Sequence, residues 1–205
     1  HNRSKNKNYL DIENSYLISS LKDSYVLIDN PNKKLLLLDK KFNSIIQKDL
    51  ESYVSALNFS NNKIFLGHQK GNISVFKIED NKDLVRIKKY QLNKKETITA
   101  IKSKDDNIFF GTINGNLGKI NGNSIYNFQG KHITKVNDIK IYKNEIYTSS
   151  LDGTIRKIKK DKLHKIFVND KKISDFYVDE NYLYISRFSE KFLKCDLNNL
   201  KKCIS

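Results

Sequence analysis

The chain has 205 residues, with 38 Lys and Arg against 23 Asp and Glu, for a formal net charge of +15. That length suits one well-buried domain, and no apolar run approaches the ~20 residues a helix needs to cross a bilayer. The charge points towards nucleic acid or an anionic surface. Yet only Arg3, Arg86, Arg156 and Arg187 carry the planar fork that reads phosphates and bases best. The richness in Lys, Asn and Ile reads instead as an AT-rich coding sequence displayed on solvated faces.

Residues 1–8, HNRSKNKN, read as disordered or as an appended remnant. The chain starts at His1 and contains no Met, which leaves room for a removed targeting segment. Residues 8–13 read as an extra strand able to complete the last sheet of a ring. A single domain, 9–205, then follows, with apolar residues at spacing two and breaks at Asn, Gly or Lys-Asp, so no ordinary helix is signalled. The strands group into five sets of four. The first set, within 14–50, takes 16–18, 25–28, 35–38 and 44–46; the second, within 51–93, takes 54–57, 64–66, 73–78 and 84–90. The third, within 94–130, takes 98–101, 108–110, 117–120 and 124–128; the fourth, within 131–170, takes 136–141, 146–148, 154–158 and 164–168. The fifth, within 171–205, takes 173–178, 182–185, 192–196 and 202–204.

One stretch organises these sets: Ser149-Ser150-Leu151-Asp152-Gly153-Thr154-Ile155-Arg156-Lys157-Ile158-Lys159 reads strand, tight turn, strand, with Asp-Gly supplying the positive-φ corner. Its turn overlays on Asn32, Lys70, Asn114 and Ser189, at spacings of 38, 44, 38 and 37 residues. A period of about 40 with several short strands in each is the pattern of β-propeller blades. Here the chain resembles the WD40 family, whose repeat ends in a pattern like Asp-Gly-Thr-Ile-Arg-Leu-Trp-Asp; the first five letters are matched by Asp152, Gly153, Thr154, Ile155 and Arg156. At the family's Trp position stand Leu38, Phe76, Ile120, Ile158 and Cys195, and its final Asp recurs only as Asp39 and Asp196. The resemblance implies an all-β propeller of about five four-stranded blades, spanning 16–205, either closed on itself or forming an arc of a seven-bladed ring. The Asp-His-Ser-Trp hydrogen-bond network of many members has no recognisable counterpart.

No catalytic constellation is legible. His1, His68, His132 and His164 lack companions at metal-ligand spacing, and the glycines of 111–118 are turn glycines without a following helix to aim amides at a phosphate. Asp105-Asp106 and Asp179-Glu180 read as solvated loop acids rather than an acid–base pair. A non-enzymatic protein without metal or cofactor is expected. Cys195 and Cys203 lie on consecutive strands, where they are either bridged or two small buried hydrophobes; a bridge would favour a periplasmic or otherwise exported protein over a cytoplasmic one.

Function then falls to the surface. The interblade loops carry Lys94, Lys95, Lys131, His132, Lys171 and Lys172, with Lys70 and Arg187 in neighbouring turns, making one rim basic. Glu51, Glu96, Asp152, Asp170 and Glu190 share that rim. The leading expectation is a non-catalytic protein-interaction scaffold, an exported accessory to an assembly such as a periplasmic redox enzyme, with an acidic protein among its partners. RNA binding through the basic rim and an enzyme with its site in the central funnel are the alternatives.

Overall fold

A computed structural model of the protein describes residues 17–20, 24–79 and 83–205. The expected strand at 8–13 lies outside those residues. The described chain is all β, in five separate four-stranded antiparallel meanders. Blade one holds β1 (Leu17–Ser20), β2 (Ser24–Asp29), β3 (Lys34–Asp39) and β4 (Ser44–Asp49); blade two holds β5 (Val54–Ser60), β6 (Lys63–His68), β7 (Asn72–Ile78) and β8 (Leu84–Gln91). Blade three holds β9 (Ile98–Lys104), β10 (Asn107–Thr112), β11 (Leu117–Asn121) and β12 (Ser124–Asn127). Blade four holds β13 (Val136–Tyr142), β14 (Glu145–Ser150), β15 (Thr154–Lys159) and β16 (Lys162–Val168). Blade five holds β17 (Ile173–Val178), β18 (Tyr182–Arg187), β19 (Leu193–Asp196) and β20 (Asn199–Ile204).

The turns are built by residues that tolerate positive φ. Asn61-Asn62, Lys143-Asn144 and Lys160-Asp161 all have φ between 45° and 66°, as a two-residue type I′ hairpin requires. The longer turns between second and third strands have Gly71, Gly115 and Gly153 at φ of 74°, 82° and 76°.

The inner strands β1, β5, β9, β13 and β17 pack against one another in chain order. Alternation along each blade sends one set of side chains to its leading face, against the blade before, and the other to its trailing face, against the blade after. Ile64, Leu66 and Phe76 of blade two thus meet Val26, Ile28, Leu35 and Leu37 of blade one. Phe65, Ile73 and Val75 meet Ile101, Ile108, Phe110 and Ile120 of blade three. Phe109 and Leu117 meet Ile139 and Leu163 of blade four, and Tyr147, Ile155 and Phe167 meet Phe176, Leu183, Ile185 and Cys195 of blade five. The core is therefore a series of four interblade layers, with a further buried cluster of Leu27, Leu36 and Leu38 on the other face of blade one.

Polar side chains clip neighbours together. Asn30 exchanges two 2.8 Å hydrogen bonds with the backbone of Val54. The Thr99 hydroxyl donates to the Val136 carbonyl at 2.7 Å, and the Asn137 amide donates to that of Ile173. Asn58 accepts from both the amide and the hydroxyl of Ser103 across the gap between blades two and three. Cys195 and Cys203 sit directly opposite one another on β19 and β20 and are joined by a disulfide.

Candidate partner-binding rim

The turns between second and third strands and the interblade loops meet on one rim, and backbone bonds fix them there. Leu92 donates to the Gly71 carbonyl at 2.9 Å, His132 to that of Gly115 at 3.0 Å and Asn169 to that of Gly153 at 2.9 Å. A side-chain tie recurs between three of the four loops and the last residue of the following second strand. It is Ser52 to His68 at 3.0 Å in blade two, Thr112 to Glu96 at 2.7 Å in blade three and Thr134 to Ser150 at 3.4 Å in blade four.

On this fixed frame Lys70, Lys94, Lys95, Lys131, Lys171 and Lys172 are exposed. Lys171 lies 3.8 Å from Glu190 and 3.9 Å from Asp170; Lys70, Lys94, Lys95, Lys131 and Lys172 have no ion pair among the described residues. On the opposite rim Lys77 pairs with Glu79 at 3.1 Å, and Lys143 with Glu180 at 2.7 Å. Arg187 does not present its fork outwards: its Nε and Nη2 donate to the Lys191 carbonyl at 3.1 and 2.7 Å, closing the turn between β18 and β19.

His132 is a correction. It was expected on the rim surface, and it is wholly buried. Its Nδ1 lies 3.2 Å from the Asp152 carboxylate and 3.0 Å from Thr154 Oγ1, while Nε2 lies 2.9 Å from Thr148 Oγ1. The Asp152 side chain is 2% exposed and accepts from the amides of Ile133 and Thr154 at 2.8 and 2.9 Å. An Asp-His-Thr network therefore exists in blade four, where the sequence showed no counterpart; Ile158 stands at the fourth, Trp position. The physical reason is desolvation, since an imidazole is kept inside only where both nitrogens find partners. Burial pushes its pKa down from 6.5 to about 4 even though the Asp152 charge pulls upwards, so the ring is neutral, with the proton on Nδ1 facing Asp152. Asp152 is raised by its own burial, but hydrogen bonds from Thr154 and Ile133 outweigh that and hold it below the ordinary carboxylate range.

Two further features were not singled out in the sequence. A crevice of about 270 Å3 opens beside Lys94, walled by Leu92, Phe110, Ile125 and Phe128 and edged by Glu96. Burial raises Glu96, but hydrogen bonds from Asn116, Thr112 and Asn114 bring its pKa below normal, so it is ionised. At the first interblade loop, hydrogen bonds from Arg86 and Lys89 draw the Glu51 pKa down to about 2. Neither feature has a spacing signature, because each assembles from different strands.

No protein-family model matches the chain, and no curated protein matches it. Solved structures do. Virginiamycin B lyase from Staphylococcus aureus superposes with a TM-score of 0.75 at 11% identity, over 93% of this chain and 68% of that one. The WD40 β-propeller domain of Doa1 gives 0.70 at 13% identity, over 90% of this chain and 64% of that one. The computationally designed protein Ika8 gives 0.65 at 13% identity, over 93% of this chain and 73% of that one. The chain thus spans about two thirds of the length of the natural propellers it resembles. Identities this low carry the fold alone, and that fold serves an enzyme as well as a WD40 domain.

Proposed function

We propose that this protein is a non-catalytic interaction scaffold that binds an acidic protein partner through its basic rim. One observation carries the reading: five of the six rim lysines, all but Lys171, have no ion pair among the described residues and stand on loops locked by backbone bonds, whereas on the opposite rim Lys77 and Lys143 are drawn into ion pairs. Unpaired charge on a rigid frame steers an oppositely charged partner and orients it at little ordering cost. The crevice beside Lys94 offers an apolar anchor point within that rim, as the core of a protein interface needs. An export route and an accessory role belong to the same proposal, supported by the disulfide, which persists in oxidising compartments.

The test compares two charge variants as bait in extracts of the native host. Lys94, Lys95, Lys131, Lys171 and Lys172 are changed to Ser in one, and Lys63, Lys104, Lys143, Lys159 and Lys160 in the other. A partner retained by the native protein and by the second variant but lost by the first is the expected result. Equal loss from both would discard the rim as a specific site. Alkylation followed by intact-mass measurement of the native protein tests export; two free thiols would remove that part.

A further inference from the structure

The crevice beside Lys94 is not a general feature of the blades. Thr112 and Asn116 lie 44 positions after His68 and Asn72, and Glu96 lies 44 after Ser52, so blade two has the same corner. There Arg86 and Lys89 on β8 hold the register positions that Ile125 and Asn127 hold on β12. Both are paired with Glu51, and only about 30 Å3 remains. In blade three an aliphatic and an amide side chain replace those cations, Gly118 stands where Ser74 does, and about 270 Å3 is open.

That volume lies below the ~300–1,000 Å3 of a site for a drug-sized molecule and suits one bulky side chain. The walls belong to the core: Leu92, Phe110 and Phe128 are 6%, 1% and 8% exposed. The loop carrying both charges at the mouth is fixed, because the Glu96 amide donates to the Lys94 carbonyl at 2.8 Å and a Cβ on Gly71 would lie 2.7 Å from that same oxygen. Thr112 and Asn116 each donate to Glu96 Oε2 at 2.7 Å, and Asn114 gives a third hydrogen bond. A carboxylate accepts about four, so Glu96 can take one donor more. An aliphatic occupant would cover this ionised group and give it nothing in return. A cationic occupant would face Lys94 and Lys95 on a chain of net charge +15. A flat aromatic ring with one N–H or O–H donor meets both demands, packing against Phe110 and Phe128 and donating to Glu96.

We infer that the crevice takes a tryptophan or tyrosine side chain of an acidic protein partner, flanked in that partner by Asp or Glu residues that face Lys94 and Lys95. The inference rests on the scaffold reading and makes it specific: the lysines attract, and the crevice selects the anchor.

The chain contains no Trp, so tryptophan fluorescence in a mixture reports only an added peptide. The probe is acetyl-Glu-Glu-Trp-Glu-Glu-amide, and analogues with Tyr, Phe, Leu, Arg or Ala at the centre are ranked by their displacement of it. Emission of the Trp peptide should shift to the blue on binding. Trp and Tyr should bind roughly tenfold more tightly than Phe, Leu or Ala, the worth of one hydrogen bond to a charged group. Glu96→Gln, which turns one acceptor oxygen into a donor, should cancel the preference for Trp over Phe. Asn127→Phe sets a ring across the mouth from an exposed position, and should reduce the Trp peptide to the affinity of the Ala peptide. Lys94→Ser with Lys95→Ser should weaken both of those peptides by the same factor.

Equal binding of all six peptides, or a preference for Arg, overturns the inference. So does a Trp preference that survives Glu96→Gln, or a Trp peptide indifferent to Asn127→Phe. If the peptides are nonetheless lost from the variant with Lys94→Ser and Lys95→Ser, the basic rim stands without its anchor. No binding of the Trp peptide at about 1 mM also overturns the inference, and the bait comparison then decides the rim alone.

Discussion

Replacing His132 with Ala removes a ring that bonds Asp152, Thr154 and Thr148 at once, and leaves a hole where no side chain is exposed. The expected loss is about 2–4 kcal/mol, from the cavity and the unmade hydrogen bonds together, measured as a shift in urea midpoint. The same residue sets a pH dependence. Unfolded, the imidazole takes its proton near pH 6.5; folded, burial delays this to about 4. The unfolded chain thus holds more protons across that window, so His132's contribution is complete above about pH 6.5 and fades as pH falls towards 4, by at most about 3 kcal/mol. His68, also lowered mainly by burial, acts in the same direction, and Asp152, lowered, adds a further loss below the ordinary carboxylate range. Urea midpoints should therefore decline from pH 7 to 4.5, less steeply in His132→Gln; a flat profile would contradict the buried neutral ring. Ser149 makes the opposite case. Its hydroxyl is buried without a partner among the described residues, so Ser149→Ala should stabilise the fold by about 1 kcal/mol.

At the scale of the element, the tight turns decide whether blades and loops meet. Gly115 has φ of 82°, and a Cβ there would lie 2.2 Å from the His132 carbonyl oxygen. Gly115→Ala thus combines a strained backbone with a clash against main chain, and should cost more than about 2 kcal/mol. Gly122, with φ of 59° and nothing near its position, should lose no more than about 1 kcal/mol in Gly122→Ala. Comparing the two by thermal melting separates the close approach from the turn conformation. The disulfide works at the same scale. Cys195 and Cys203 are eight residues apart, and closing so short a loop restricts the unfolded chain enough to stabilise by about 2–3 kcal/mol. Reductant should lower the guanidinium midpoint accordingly and leave Cys195→Ala/Cys203→Ala unaffected.

For the molecule as a whole, the question is whether +15 of charge is placed or merely carried. If the rim held a polyanion, affinity would fall with salt by a slope of about 0.9 per phosphate contacted on duplex DNA and about 0.7 on single strands. The five rim substitutions would then flatten that slope while the five on the opposite rim would not. Under the scaffold proposal RNA binding is weak at physiological salt and responds equally to both sets, measured by fluorescence anisotropy across a salt series. A slope that changes only with the rim set would move nucleic acid ahead of protein as the partner.

Much of the architecture was local and therefore legible. Asp152-Gly153, Lys70-Gly71 and Asn114-Gly115 announce their turns, alternation of apolar and polar residues announces the strands, and the recurrence near 40 residues announces the blades, because φ preference and side-chain period act within a few neighbours. The pairing of Cys195 with Cys203 was half legible: consecutive strands put the two near each other, and only register set them opposite. His132 shows what a sequence withholds. It stands among lysines, 20 residues from Asp152 and 16 from Thr148, and reads as a rim residue until the loop folds under the turn. The crevice beside Lys94 was hidden for the same reason. Leu92, Phe110, Ile125 and Phe128 read like any apolar residues of strands and loops, and whether they close on one another or leave room for a guest depends on what packs across from them, which tertiary structure alone decides.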